Sequence, residues 1–136
     1  MVKVMIAGKF DPLHDGHLDH IIKASALGDQ LIVVTHTDEV INKLRPCQVP
    51  LWARMFTLKA VLNYIGIEYE VILALDSDGT VAKTLHKVRP DIFAKGGDRT
   101  ESNMPQDELD VCAEIGCRII YGVGDLLNAS SKLQLC

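Results

Sequence analysis

The chain has 136 residues, 48% of them hydrophobic, with 14 Lys and Arg against 18 Asp and Glu for a formal net charge of −4. That length fits one domain with a proper core, and the absence of a basic run or arginine-rich face argues against a nucleic-acid partner. No apolar run approaches a membrane span, no signal peptide precedes the first strand, and the four cysteines (Cys47, Cys112, Cys117, Cys136) form no C-x-x-C pair, so the expectation is a cytoplasmic protein with reduced thiols and no membrane partner.

In chain order, "VKVMIA" (2–7) reads as a buried strand. "GHLDHIIKASALG" (16–28) places Leu18, Ile21, Ile22 and Ser25 on one helical face, with Gly28 suited to the C-terminal cap. "QLIVVTHT" (30–37) is β-branched and apolar, a second strand. "PLWARMFTLKAVLNYIG" (50–66) starts a helix at Pro50 and ends it at Gly66. "YEVILAL" (69–75) is a third strand, "DGTVAKTLHKV" (78–88) a weaker helix, and "DIFAKGG" (91–97) a fourth strand running into glycines. "PQDELDVCAEIG" (105–116) is a helix and "CRIIYGV" (117–123) a fifth strand. The tail "NASSKLQLC" resembles a first helical turn, with Asn128, Ser130 or Ser131 as cap.

Strand and helix alternate throughout, and the strands are continuous apolar runs of the kind covered on both faces. The expected fold is α/β: a doubly wound, five-stranded parallel sheet, Rossmann-like, in a single domain spanning 1–136. Ligands in such folds bind beyond the carboxyl ends of the strands. Four segments therefore meet at one rim: 8–17, 36–45, 96–100 and 122–131.

The first of these is "GKFDPLHDGH" (8–17). Gly8 allows close backbone approach, Pro12 stiffens the loop and Gly16 lets the chain enter its helix tightly. A helix N-terminus with its positive dipole end favours an anion, and His14 and His17, three apart across the first turn, can point at the same one. Segment 36–45 carries Lys43 and Arg45, each open between a ligand role and a solvated loop charge, and Arg54 lies just inside the next helix, open between a ligand role and a pairing with a nearby acid. "GGDRT" (96–100) exposes backbone at Gly96 and Gly97 and offers Asp98 as an acceptor. Two helix N-termini, two histidines and several cations on one rim point to a polyphosphate. A zinc site from His14, His17 and Asp11 would need a further ligand. His20 reads as a surface residue, and His36 is open between site and loop.

The stretch "GKFDPLHDGH" resembles the G-x-F-D-x-x-H-x-G-H signature of the cytidylyltransferase-like nucleotidyltransferases, the HxGH motif. "ALGDQLIVVTHTDEV", Arg54 at a helix start and "SSKL" in the tail agree with that pattern, so the resemblance covers nearly the whole chain. It implies transfer of a nucleotidyl group from CTP or ATP, with Mg2+, to a phosphorylated small molecule, releasing pyrophosphate. It implies His14, His17 and Lys43 as catalytic residues. Nucleotide contacts would come from Gly8, Lys9, Phe10, Asp11, Gly16, Arg54, Gly96, Gly97, Asp98, Ala129, Ser130 and Ser131, and acceptor contacts from Asp11, Lys9 and Arg99. "DSDGT" (76–80) and "RPDIFAKGGD" (89–98) resemble the adenylyltransferase domain of ADP-heptose synthesis. The size and the tail serines resemble glycerol-phosphate cytidylyltransferases, though the tail lacks their Arg-Thr pair. The serine run followed by a lysine resembles archaeal FAD synthetases. The acceptor expected is a small sugar or polyol phosphate. A homodimer is also expected, with Trp52 at the interface, since dimers are common in the family. The expectation of another class is a nucleotide-binding module without turnover.

Overall fold

The computed structural model of this chain describes residues 1–97 and 99–124. Five strands, β1 (Lys3–Ala7), β2 (Gln30–Thr35), β3 (Glu68–Leu73), β4 (Ile92–Ala94) and β5 (Arg118–Ile120), form one sheet in the order β3-β2-β1-β4-β5. Every pairing is parallel. Between the strands run α1 (Asp15–Ser25), α2 (Asp38–Leu44), α3 (Leu51–Ile65), α4 (Ala82–Val88) and α5 (Gln106–Ile115), with a short 3-10 turn at Glu101–Asn103. The expected doubly wound α/β architecture is the one found. From β1 the chain winds outward through β2 to β3, then returns to the opposite side of β1 for β4. The strand order therefore reverses between β1 and β4, and the crevice at their carboxyl ends is the topological switch point.

Period-two alternation builds the core. Val4, Ile6, Leu31 and Val33 face one way and pack against Ile21 and Ala24 of α1 and Leu58 and Leu62 of α3. Met5, Ile32, Val34 and Phe93 face the other way and meet Val81, Leu85 and Cys112 on the side of α4 and α5. Both faces being covered explains why these strands read as unbroken apolar runs.

The structure corrects several local expectations. The buried stripe of α1 is Ile21 and Ala24, while Ile22 is 53% exposed. Each residue turns the helix by about 100°, so Ile22 and Ser25 lie one step around from the buried stripe. Gly66 and Gly116 do end their helices in the left-handed conformation, at φ 87° and 72°. Gly28 does not cap α1, which closes at Ala26. A Cβ at Gly28 would lie 2.7 Å from the Val2 carbonyl oxygen and from Val4 Cγ2, so this glycine permits the chain to pass close to β1. Segment 36–45, expected as rim loop, contains α2, whose start is capped by Thr37 Oγ1 accepting from the Val40 amide at 3.2 Å. The helix expected over 78–88 begins at Ala82, because Asp78 folds 78–80 into a turn by accepting from the Thr80 amide and hydroxyl. Among the described residues no helix is long and apolar enough to cross a membrane.

Candidate active site

The loop after β1 is built around two buried side chains. Phe10 takes φ 52°, a conformation strained for an aromatic residue, and its ring is 2% exposed within the core. The ring lies beneath the loop, edge-on to His17 at 5.0 Å between centroids. Gly8 gives that ring room: a Cβ there would stand 3.1 Å from Phe10 Cζ, close enough that the ring would have to shift. Asp11, also buried, accepts from Arg45 Nη1 at 2.9 Å and from the amides of Gln48 and Val49. Burial alone would raise its carboxyl, but the two amides and the guanidinium together hold it below the usual carboxylate range.

His14 and His17 open α1 as a reciprocal cap. His14 Nδ1 accepts from the Gly16 amide at 3.1 Å, and His17 Nδ1 accepts from the His14 amide at 3.2 Å. The rings stack at 3.8 Å with an interplanar angle of 23°. Burial, then the neighbouring His14 and His20, push His17 down to about 4, so near neutral pH its ring is uncharged. A neutral imidazole that accepts at Nδ1 carries its proton at Nε2. The backbone therefore fixes the tautomer of both rings while they are neutral, leaving Nε2–H as a donor on each. His20, expected on the surface, is half-buried, and its Nδ1 lies 2.6 Å from the Val123 carbonyl oxygen, tying α1 to the exit of β5.

Arg54 is 0% exposed. Its five N–H donors are all consumed: Nε by the Val49 carbonyl, Nη1 by the Lys9 carbonyl and Thr35 Oγ1, Nη2 by the His36 carbonyl and Asp38 Oδ1. It binds the loops after β1 and β2 and the start of α2 to α3. The guanidinium also holds Asp38 below the usual carboxylate range, the largest influence on that carboxyl.

A cavity of about 150 Å³ opens at the switch point. Gly8 and Lys9 border it from the end of β1, His36 from β2, Lys95 from β4, Arg99 from the following loop and Glu108 from α5. Burial, followed by repulsion from Arg45 and Arg99, lowers Lys9. Burial, then Lys9, lowers His36, and burial raises Glu108. The site thus joins two fixed imidazole donors at a helix start with a cation-lined cavity across the β1 end, an arrangement suited to phosphates.

Residues 5–123 match the family model described as Cytidylyltransferase-like. The chain belongs to that family of nucleotidyltransferases. It is 36% identical over 99 residues to the bifunctional protein HldE of Nitrosococcus oceani, covering 71% of this chain and 20% of that protein. It is 40% identical over 100 residues to the protein of the same name from Aeromonas hydrophila, covering 70% and 19%. The chain spans about a fifth of the length of these curated relatives. Among solved structures it resembles the lipopolysaccharide core biosynthesis protein of Thermoplasma volcanium, 27% identical with a TM-score of 0.70 over 91% of this chain and 98% of that one. A bifunctional NMN adenylyltransferase/ADP ribose pyrophosphatase from Francisella tularensis, 18% identical with a TM-score of 0.65 over 99% of this chain and 42% of that one, shares the fold.

Within this nucleotidyltransferase frame, His14, His17, Gly16, Gly8 and Lys9 come together at the β1–α1 turn, and Arg99 joins Lys9 across the cavity. Three of the expected contact residues have their side chains engaged within the protein. Phe10 is core, Asp11 has its carboxylate filled by Arg45 and two amides, and Arg54 has no donor left for a nucleotide. Lys43 is exposed on the last turn of α2, with Nζ 3.3 Å from the Ser77 carbonyl oxygen. The loop 75–81 also reaches the rim, supplying Gly79 and Val81 to the cavity. Gly96 accepts from the Arg99 amide at 3.2 Å and, with Gly97, lies at the β4 exit. Asp98, Ala129, Ser130 and Ser131 lie outside the described residues. Lys95 and Glu108 were missed. Lys95 directly follows β4, a position the switch-point rule singles out, whereas an acid in the first turn of a helix looks like ordinary dipole compensation.

Proposed function

We propose that this chain transfers CMP or AMP from CTP or ATP to a small phosphorylated sugar or polyol, releasing pyrophosphate. One observation carries the reading: two imidazoles, stacked at the start of α1, have Nδ1 occupied by backbone amides and Nε2 left to donate. The attacking phosphate oxygen is anionic at neutral pH, so no general base is needed. The barrier is charge gathering on the α-phosphate and on the departing pyrophosphate, and preorganised donors lower it. His14 and His17 donate to those oxygens, and Lys43 takes the pyrophosphate end. Lys9 and Arg99 hold the acceptor phosphate at the switch-point cavity. Mg2+ would accompany the triphosphate, where it neutralises phosphate charge. The local resemblance to the adenylyltransferase of ADP-heptose synthesis and the likeness to proteins named HldE support a sugar-phosphate acceptor. We further propose a cytoplasmic homodimer, because Trp52 and Phe56, 74% and 69% exposed and one turn apart on α3, form an apolar face suited to a second copy.

The test is pyrophosphate release from CTP or ATP with Mg2+ and a panel of sugar phosphates, glycerol phosphate and FMN. His17→Ala should cut turnover by about two to three orders of magnitude, the scale of one lost charge-stabilising donor. Full activity in that variant would refute the mechanism, and nucleotide binding without pyrophosphate from any acceptor would make the chain a binding module.

A further inference from the structure

Two residues that line the switch-point cavity, His36 and Glu108, each keep one buried polar atom without a hydrogen-bond partner among the described residues, His36 Nδ1 and Glu108 Oε1. Both residues are almost fully enclosed, at 5% and 4% exposure. A buried polar atom without a partner is disfavoured, and nearly all such atoms in folded proteins are satisfied by protein, water or ligand. Glu108 is not loose: its other oxygen, Oε2, accepts from the Val81 amide at 3.0 Å, which aims the carboxyl from α5 towards the loop before α4. The same cavity is bordered by Lys9, Lys95 and Arg99. It therefore combines a cationic margin with two lining residues whose unsatisfied atoms a small side-chain turn would bring to a ligand.

We infer that Glu108 and His36 are the specificity-determining residues of the acceptor site, and that they read hydroxyl groups on a compact phosphorylated polyol whose phosphate is held by Lys9, Lys95 and Arg99. The identity of the phosphate as acceptor rests on the nucleotidyltransferase reading; the recognition of hydroxyls does not. Three observations select this chemistry. The cations suit a phosphate rather than a neutral ligand. A hydroxyl donates to the Glu108 carboxylate and serves either tautomer of His36, since it both donates and accepts. The volume, about 150 Å³, suits a small ring or a short carbon chain.

Calorimetric titration of the protein with sn-glycerol 3-phosphate, D-ribose 5-phosphate and D-mannose 1-phosphate, each against n-propyl phosphate, tests the inference. At least one polyol phosphate should bind about tenfold or more tightly than n-propyl phosphate, the scale of one hydrogen bond to a charged buried group. Glu108→Gln keeps an oxygen for the Val81 amide and so preserves the loop contact. In that variant and in His36→Phe the preference should fall to within about threefold, with binding of inorganic phosphate and thermal unfolding little changed. Equal binding of n-propyl phosphate and all three polyol phosphates to the parent protein would mean that water alone satisfies the two atoms, and would overturn the inference. So would a preference that survives in both variants. Pyrophosphate release is followed separately. Hydroxyl discrimination without pyrophosphate removes the enzyme reading and leaves the inference standing, while turnover with unaltered discrimination in the variants does the reverse.

Discussion

At the scale of single residues, burial decides which polar side chains meet ligand and which hold the frame. Arg54 looks like a phosphate-binding cation in the sequence, yet its planar fork is filled by three carbonyls, a hydroxyl and a carboxylate. Arg54→Met should therefore destabilise the fold by about 3–5 kcal/mol in urea unfolding, the usual scale for removing one partner of a buried polar network. A loss confined to nucleotide affinity would show that the guanidinium acts on ligand instead. His17 behaves differently because its Nε2 is spared. The folded protein keeps it unprotonated down to about 4, whereas the unfolded chain takes up its proton near the ordinary 6.5. Between those values the unfolded state binds more protons, so stability falls as pH drops from 6.5 towards 4 and is level above that window as far as this group is concerned. His36, lowered in the same direction, adds to the effect. Melting temperatures at pH 7 and pH 5 should differ less in His17→Gln than in the parent protein.

At the scale of elements, contacts from elsewhere in the chain replace the local signals that the sequence lacks. Helix α4 has no side-chain cap of its own at Val81. Asp76 supplies one from the preceding loop, accepting from the Lys83 amide at 2.7 Å, the Thr84 amide at 3.1 Å and the Thr84 hydroxyl at 2.8 Å. Asp76→Ala should cost about 1–2 kcal/mol, the scale of a lost N-cap, with the buried Thr84 hydroxyl losing its acceptor while still accepting from the Leu75 amide. Urea unfolding measures it, and an unchanged midpoint would show that the cap contributes nothing. Helix α1 shows the converse. Its cap residues are the HxGH histidines themselves, so one set of hydrogen bonds both starts the helix and orients the rings. The spacing of the two histidines was legible in the sequence. That their Nδ1 atoms are spent on the backbone was not, because it depends on the rotamers the two stacked rings take, with His17 packed edge-on against Phe10.

At the scale of the whole molecule, winding the chain outward to β3 and back to β4 brings five separate segments to one end of the sheet. The alternating pattern of apolar runs and helices was enough to foresee the parallel sheet and the rim. It was not enough to divide the rim into a histidine cradle at α1 and a cavity at the β1/β4 crevice, because Lys9, His36, Lys95 and Glu108 are far apart in sequence. The same scale governs assembly. The α3 face of Trp52 and Phe56 is exposed because Arg54, Leu58 and Leu62 turn the opposite side of that helix to the sheet. Sedimentation should give a dimer that Trp52→Glu with Phe56→Glu converts to a folded monomer. A dimer that persists would place the interface elsewhere, and a monomeric parent protein would dismiss the pairing.

The sequence by itself determined the α/β class, the strand–loop–helix setting of "GKFDPLHDGH" and the family to which the chain belongs, since these depend on local periodicity and on a short motif. Only the tertiary structure decided that Asp11 and Arg54 face inward, that Gly8 and Gly28 make room for neighbouring chain, and that Glu108 and His36 converge on one cavity. Burial and convergence depend on which distant segments the sheet order sets side by side, and no local pattern encodes that.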